Sequence, residues 1–230
     1  IGAQVVLCNA YHLYLRPGEA LVKQCGGLHR FMGWNRLILT DSGGFQLYSL
    51  RSLMNIDDAG VTFRSHIDGS LHALSPERAM AVQTALGSDI AMAFDQCPPS
   101  GSSRDQIATA MRRTTLWART CVTQPRPAHQ VRFGIVQGGL DMALRRRHID
   151  ELAALPFEGY ALGGLSVGEA PEQMAEVQVL ANNEPLCLVE FNQVRCIKDI
   201  RPEAACNRKI FSGHLNAFCE LPCAVRGPVR

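Results

Sequence analysis

The chain has 230 residues, 47% of them hydrophobic and 19% charged, with a formal net charge of +2. That composition excludes a disordered or fibrous polymer and suits one large globular domain or two small ones. So small a net charge does not announce a nucleic-acid partner; Arg145, Arg146 and Arg147 are expected as a solvated helix face, with contact to a nucleic-acid backbone as the alternative.

Nine cysteines, an odd number scattered from Cys8 to Cys223 and several inside apolar runs, favour reduced thiols in a cytoplasmic protein over a disulfide framework. No apolar stretch approaches a membrane span, and no charged-then-apolar leader opens the chain, so no membrane partner is expected. The first residue is Ile1, not Met, and the chain is therefore expected to be a piece of something longer.

In chain order, QVVLCN closing at Asn9 reads as a first strand, and Leu21 to Cys25 as a short helix. LILTDSGGFQ (Leu37 to Gln46) is an apolar, branched run that stops at Asp41, Ser42 and two glycines. It predicts a buried strand whose C-terminal end delivers a carboxylate beside exposed main chain, where α/β proteins keep their chemistry, although the same four residues also make an ordinary turn. VTFRSHIDGSLHAL carries an Asp-Gly pair between alternating residues and predicts a β-hairpin inserted after the Asp41 strand. Ser75, as an N-cap before Pro76, starts a helix that stops near Gly87. Strands closing at Asp95, at Gln137 and at Gly163-Gly164 alternate with helices expected over Asp105 to Arg119, over Asp141 to Leu155 and from near Pro171.

This alternation predicts an α/β fold, with a parallel sheet wrapped by helices, and the polar residue repeated at strand ends suits a (β/α)8 TIM-like barrel. Only about five barrel strands are visible before residue 170, so the barrel is expected to be incomplete in this chain. From about Asn182 the periodicity fades, while Cys187, Cys196, Cys206, Cys219 and Cys223 all follow. The expected division is a partial barrel over 1–181, carrying the site, and a Cys-containing, partly irregular tail over 182–230.

The residues gathered at the strand ends are Asn9, Asp41, Asp95, Gln137 and Gly164. Two carboxylates, two amides and exposed main chain make a poor metal site but a good purine site. One carboxylate accepts a ring N–H and an exocyclic amine together, an amide donates to the carbonyl, and an aromatic such as Phe45 covers a ring face. The second carboxylate is then available for proton transfer. Taken singly, Asp95 and Gln137 also fit strand-end caps bonded to main chain.

NAYHLYLRPG (Asn9 to Gly18), GGLHRFM (Gly26 to Met32), LTDSGGFQ (Leu39 to Gln46), GVTFRSHIDG (Gly60 to Gly69), ALGSDIAMAFDQCPP (Ala85 to Pro99), FGIVQGG (Phe133 to Gly139) and GYALGGLSVGE (Gly159 to Glu169) resemble, in order and spacing, the tRNA-guanine transglycosylases. The resemblance covers roughly residues 1 to 178. It implies an enzyme of queuosine biosynthesis that exchanges the wobble guanine in a tRNA anticodon loop for a 7-deazaguanine base, on a modified (β/α)8 barrel with a zinc-bearing insertion. By the same resemblance Asp41 is the proton acceptor, Ser42, Gly43, Gly44 and Phe45 line the base pocket, and Asp95, Gln137 and Gly164 read the base. Cys97 and Val167 follow the bacterial pattern, which implies 7-aminomethyl-7-deazaguanine as the incoming base; a homodimer is the oligomer that relatives suggest.

Two family features do not match. The family's covalent mechanism needs a second aspartate that attacks the ribose, and no segment after the GGLSVGE turn resembles it; Asp199 is the only Asp beyond Asp150. The zinc run is not intact either, leaving Cys206, His214, Cys219 and Cys223 as metal candidates by residue type alone. The alternative to an enzyme is a catalytically inactive base- or tRNA-binding remnant or partner subunit. His12 and His66 lie inside family motifs, yet packing or a local hydrogen bond explains either.

Overall fold

The computed structural model of the chain describes residues 3–44, 54–99, 101–165, 168–182 and 188–190. Strand β1 (Val5–Cys8) runs directly into three short helices, α1 (Ala10–Leu15), α2 (Glu19–Gln24) and α3 (Gly27–Met32), and these lead to β2 (Leu37–Thr40). Next come β3 (Met54–Asp57), β4 (Gly60–Arg64) and β5 (Leu71–Leu74). The chain then alternates through α4 (Pro76–Leu86), β6 (Ile90–Met92), α5 (Arg104–Cys121), β7 (Val131–Val136), α6 (Met142–Ala153), β8 (Gly159–Leu162), α7 (Pro171–Asn182) and β9 (Leu188–Glu190).

Strands β1, β2, β6, β7, β8 and β9 make one sheet in that order, every neighbouring pair parallel. Each crossover lands on the next strand in the same direction, so strand order never reverses as it does in a doubly wound sheet. The C-terminal ends of successive strands therefore line one rim. The middle strands β6, β7 and β8 are buried along their whole length, as parallel strands covered on both faces should be.

Local signals in the sequence start and stop the longer helices. Ser75 accepts a hydrogen bond from the Arg78 amide with Pro76 in the first turn, and Gly87 ends α4 in a left-handed conformation. Ser103 and Gln106 form a reciprocal capping box at the head of α5. Asp141 caps α6, its Oδ1 accepting from the amides of Ala143 and Leu144 at 3.0 Å each.

Strands β3, β4 and β5 form a separate antiparallel sheet, one strand more than the pair expected from the Asp-Gly turn. Its apolar face (Val61, Phe63, Leu74) packs with Tyr11, Met80, Phe94 and Trp117 in the largest core cluster. The β3–β4 turn is docked on α5. The Asp58 carboxylate accepts from Arg112 and Arg113, and the Asp58 carbonyl accepts from Trp117 Nε1 at 2.8 Å. Leu39, Ile90, Met92, Val131, Phe133 and Ile135 form a second cluster on the parallel sheet.

Besides β3, three elements lie outside the sequence expectations. Helices α1 and α3 are six residues each, under two turns, too short to show a hydrophobic period; Asn9 nucleates α1 by accepting from the His12 amide at 3.0 Å. Strand β9 carries the parallel sheet past residue 181 by pairing Tyr160 with Leu188. Among the described residues no helix is long and apolar enough to cross a membrane.

Candidate functional site

Along the rim, β1 delivers Asn9, β2 delivers Asp41 and Ser42, β6 leads to Asp95, β7 to Gln137 and β8 to Gly163 and Gly164. Asp95 is the hub. Its Oδ1 accepts from Ser42 Oγ and its Oδ2 from Gln137 Nε2, both at 2.6 Å, and all three side chains are buried. The Ser42 hydroxyl in turn accepts from the Gly44 amide at 3.0 Å. One hydrogen-bonded chain thus joins the ends of β2, β6 and β7. Burial pushes the Asp95 carboxyl above its ordinary range, and the bonds from Ser42 and Gln137 pull the other way.

The partners of Asp95 are side chains, so the alternative reading of Asp95 and Gln137 as caps on main chain does not describe them. A carboxylate accepts only, which settles that the Gln137 NH2 faces it. The Gln137 Oε1 is buried and has no hydrogen-bond partner among the described residues. A buried, unmatched acceptor is costly unless something else meets it.

The glycines here are required by close approach. A methyl group on Gly44 would lie 2.6 Å from the Asp95 carbonyl and 2.7 Å from its Oδ1. A methyl on Gly163 would meet Gln137 Nε2 at 2.6 Å, and one on Gly164, whose φ is +62°, would meet Gln137 Oε1 at 2.5 Å. Gly43 also has a positive φ of 80°.

Asp41 stands beside this chain of bonds and is half-buried. Its Oδ1 accepts from the Ala10 amide at 2.9 Å, and its own amide donates to the Cys8 carbonyl, so β1 and α1 hold the carboxylate in place. Asn9 belongs to the rim but spends its carboxamide oxygen on capping α1. The Tyr11 hydroxyl shares a hydrogen bond with His66 Nδ1 at 3.1 Å, and His12 packs edge-on against His66. Both histidines are accounted for by packing and local bonding.

Cys97 is buried near Asp95, and burial together with the Asp95 charge pushes its thiol up to about 12. It is a neutral thiol at physiological pH. The expectation of a solvated face at 145–147 is corrected for one member. Arg145 is 0% exposed, whereas Arg146 and Arg147 lie on the surface, Arg147 pairing with Glu151.

His148, which the sequence reading passed over, is also fully buried; its Nδ1 accepts from the Gln137 amide at 2.7 Å and burial pushes it down to about 4. The signal was available. Leu144, Ile149 and Leu152 mark the buried stripe of α6, and Arg145 and His148 fall on that stripe.

Phe45, Val167, Asp199 and the metal candidates Cys206, His214, Cys219 and Cys223 lie outside the described residues. Among the described residues no group of three or more His, Cys, Asp or Glu is placed to hold a metal ion. The rim thus gathers two carboxylates, a buried amide, two glycine turns and an unmatched acceptor.

Comparison with known proteins agrees in one direction. The family model described as Queuine tRNA-ribosyltransferase matches residues 1–189. The chain is 58% identical over 202 residues to a queuine tRNA-ribosyltransferase of Pelotomaculum thermopropionicum, covering 86% of this chain and 55% of the relative. It is 52% identical over 202 residues to one from Moorella thermoacetica, covering 86% of this chain and 54% of the relative. With one from Halothermothrix orenii the identity is 53% over 177 residues, 77% of this chain and 48% of the relative. The chain spans about half the length of the curated relatives it matches.

Proposed function

The chain belongs to the queuine tRNA-ribosyltransferase family, and from that membership we propose that it carries the base-exchange pocket of a tRNA-guanine transglycosylase, a pentosyltransferase that replaces the wobble guanine by 7-aminomethyl-7-deazaguanine. The observation that carries this reading is the buried Ser42–Asp95–Gln137 chain set between the Gly44 and Gly163-Gly164 turns.

A carboxylate offers about four lone-pair sites, and Ser42 and Gln137 use two. The remaining two match the ring N–H and exocyclic amine of guanine or its 7-deaza analogue. The Gly164 amide supplies a donor for the base carbonyl, while the Gln137 NH2 stays on Asp95 and holds it in place. Asp41, fixed by the Ala10 amide, gives a proton to the outgoing guanine as its bond to the ribose breaks and takes one back from the incoming base as the new ring-nitrogen–ribose bond forms, so the proton count closes over one exchange. Phe45 stacks on the ring. The base reaches this pocket only from an unpaired, splayed anticodon loop, which is how single-stranded RNA is generally read.

The six sequential parallel strands are, on this reading, an arc of a (β/α)8 barrel, and the β3–β5 sheet is an insertion carried after β2. The cytoplasm suits both the tRNA partner and the free, buried thiols of Cys8, Cys97 and Cys121.

Incubation of the protein with labelled guanine and tRNA is the test. Exchange of label into the anticodon, with a covalent tRNA adduct that survives denaturing electrophoresis, supports the enzyme. Guanine binding without exchange or adduct supports a binding remnant instead, and no binding of guanine or of 7-deazaguanines overturns the pocket.

A further inference from the structure

The buried Arg145 is used by none of the steps above. From α6 it reaches into the two glycine turns: its Nε donates to the Gly139 carbonyl at 2.6 Å, one Nη to the Val136 carbonyl at 3.3 Å and the other to the Gly163 carbonyl at 2.9 Å. Its stem is packed as tightly as its head, since a methyl on Gly138 would lie 2.6 Å from Arg145 Cγ. A fully buried guanidinium spending its donors on main chain at the ends of β7 and β8 is an expensive arrangement for packing alone.

The identity of the carbonyls is informative. Val136 C=O belongs to the same peptide unit as Gln137 N–H, and Gly163 C=O to the same unit as Gly164 N–H. The far side of the first unit is also engaged, the Gln137 amide donating to His148 Nδ1 at 2.7 Å. A cation bonded to a carbonyl draws charge through the peptide and strengthens the N–H on its other side as a donor. One side chain therefore holds and polarises the two peptide units that lead into Gln137 and Gly164.

We propose that Arg145 is a positioning residue for base recognition: its guanidinium clamps the Gln137 and Gly164 turns in register and sharpens the Gly164 amide as a donor to the carbonyl of the bound base. The consequence for discrimination rests on the base-pocket reading above; the clamp does not.

Two measurements on Arg145→Met and Arg145→Lys separate them. Hydrogen–deuterium exchange of the base-free protein reads the clamp. Peptides spanning 136–140 and 163–165 should lose protection by about tenfold in Arg145→Met while those from α4 and α5 hold theirs, since losing a hydrogen bond to a charged donor is worth at least that factor. Uniform or absent change overturns the inference.

Titration with guanine and with 2-aminopurine, which lacks the carbonyl and the N1 proton, reads the consequence: the N1 contact is to Asp95 and is the same in parent and variant, so a change in preference reports the carbonyl contact. The preference for guanine should fall by about tenfold in Arg145→Met and less in Arg145→Lys, whose ammonium keeps charge and reaches fewer carbonyls. A proportional loss for both purines is what a purely structural arginine predicts, and it overturns the polarising role. Should Arg145→Met fail to fold, Arg145→Lys decides both measurements. A parent protein that does not prefer guanine at all overturns the pocket reading and with it the discrimination half, leaving the clamp to be decided by exchange alone.

Discussion

Replacing Asp95 by Asn separates what the fold needs from what a base needs. Asp95 accepts from Ser42 Oγ and Gln137 Nε2, each at 2.6 Å. In Asp95→Asn the amide oxygen retains the Gln137 bond, and the new NH2 turns toward Ser42 Oγ, whose hydroxyl reverses to accept. Ser42 Oγ already accepts from the Gly44 amide, and a hydroxyl has two lone pairs, so both of those donors are satisfied while the hydroxyl's own proton loses its acceptor. The charged bonds become weaker neutral ones. Against that loss, burial already opposes the ionised carboxylate, which is why its proton affinity is raised. These effects nearly cancel, and the change in stability should stay within about 1 kcal/mol.

Guanine binding does not cancel in the same way. One acceptor that would meet a purine N–H becomes a donor facing a donor, and the other loses its charge. At about 1.5 to 3 kcal/mol for each charged hydrogen bond, the loss is at least about 3 kcal/mol, or about 10²-fold in Kd. Calorimetric titration with guanine, beside a thermal melt, measures both halves. A variant that melts like the parent and binds guanine within about threefold of it would refute the assignment of Asp95 to the base. A variant that does not fold would refute the hydroxyl reversal.

Asp41→Asn keeps an acceptor for the Ala10 amide, so guanine binding should persist while exchange into tRNA drops by about 10²- to 10⁴-fold, the usual worth of a general base; unchanged incorporation of labelled guanine sinks the role. Gly44→Ala places a methyl against the Asp95 carbonyl and Oδ1 at 2.6 and 2.7 Å, neither of which can withdraw, so it should cost about 1 to 3 kcal/mol and lower the melting temperature by several degrees. A melt indistinguishable from the parent's contradicts this. The His148 imidazole is held to about 4, against about 6.5 in an unfolded chain. Between those values the unfolded state binds a proton that the folded state refuses, so stability falls by about 1.4 kcal/mol per pH unit as pH drops through the window. Asp95, whose folded proton affinity is raised, works in the opposite sense. The difference between denaturant melts of the parent and of His148→Gln isolates the histidine, and equal slopes from pH 6 to pH 4.5 refute its neutral burial.

Much of the fold was legible because its signals are local. Short branched runs such as LILT and VRFGIV, bounded by turn residues, read as strands covered on both faces, and all of their residues but Leu37 are buried. Ser75, Ser103 and Asp141 are bonded to amides within their own first turns, so a reader of the sequence can place α4 and α6 to within a few residues. Asp41, Asp95, Gln137 and Gly164 are legible the same way, each as the polar or glycine residue ending an apolar run. The short α1 and α3 escaped because six residues carry no period, and β9 because three residues cannot be told from loop.

The sequence by itself determined the order of the longer strands and helices, the five residues gathered at the rim and, through its co-linear motifs, the family. Only the tertiary structure decided how those residues are paired. That Ser42 and Gln137 both donate to Asp95, that Gly44 and Gly164 are glycines because a methyl would strike that chain, and that Arg145 turns inward while Arg146 and Arg147 face solvent all depend on contacts between elements far apart in sequence. Local patterning states what a residue prefers. Burial, which sets the proton affinity of Asp95, Cys97 and His148, is a property of the neighbours that the fold brings to it.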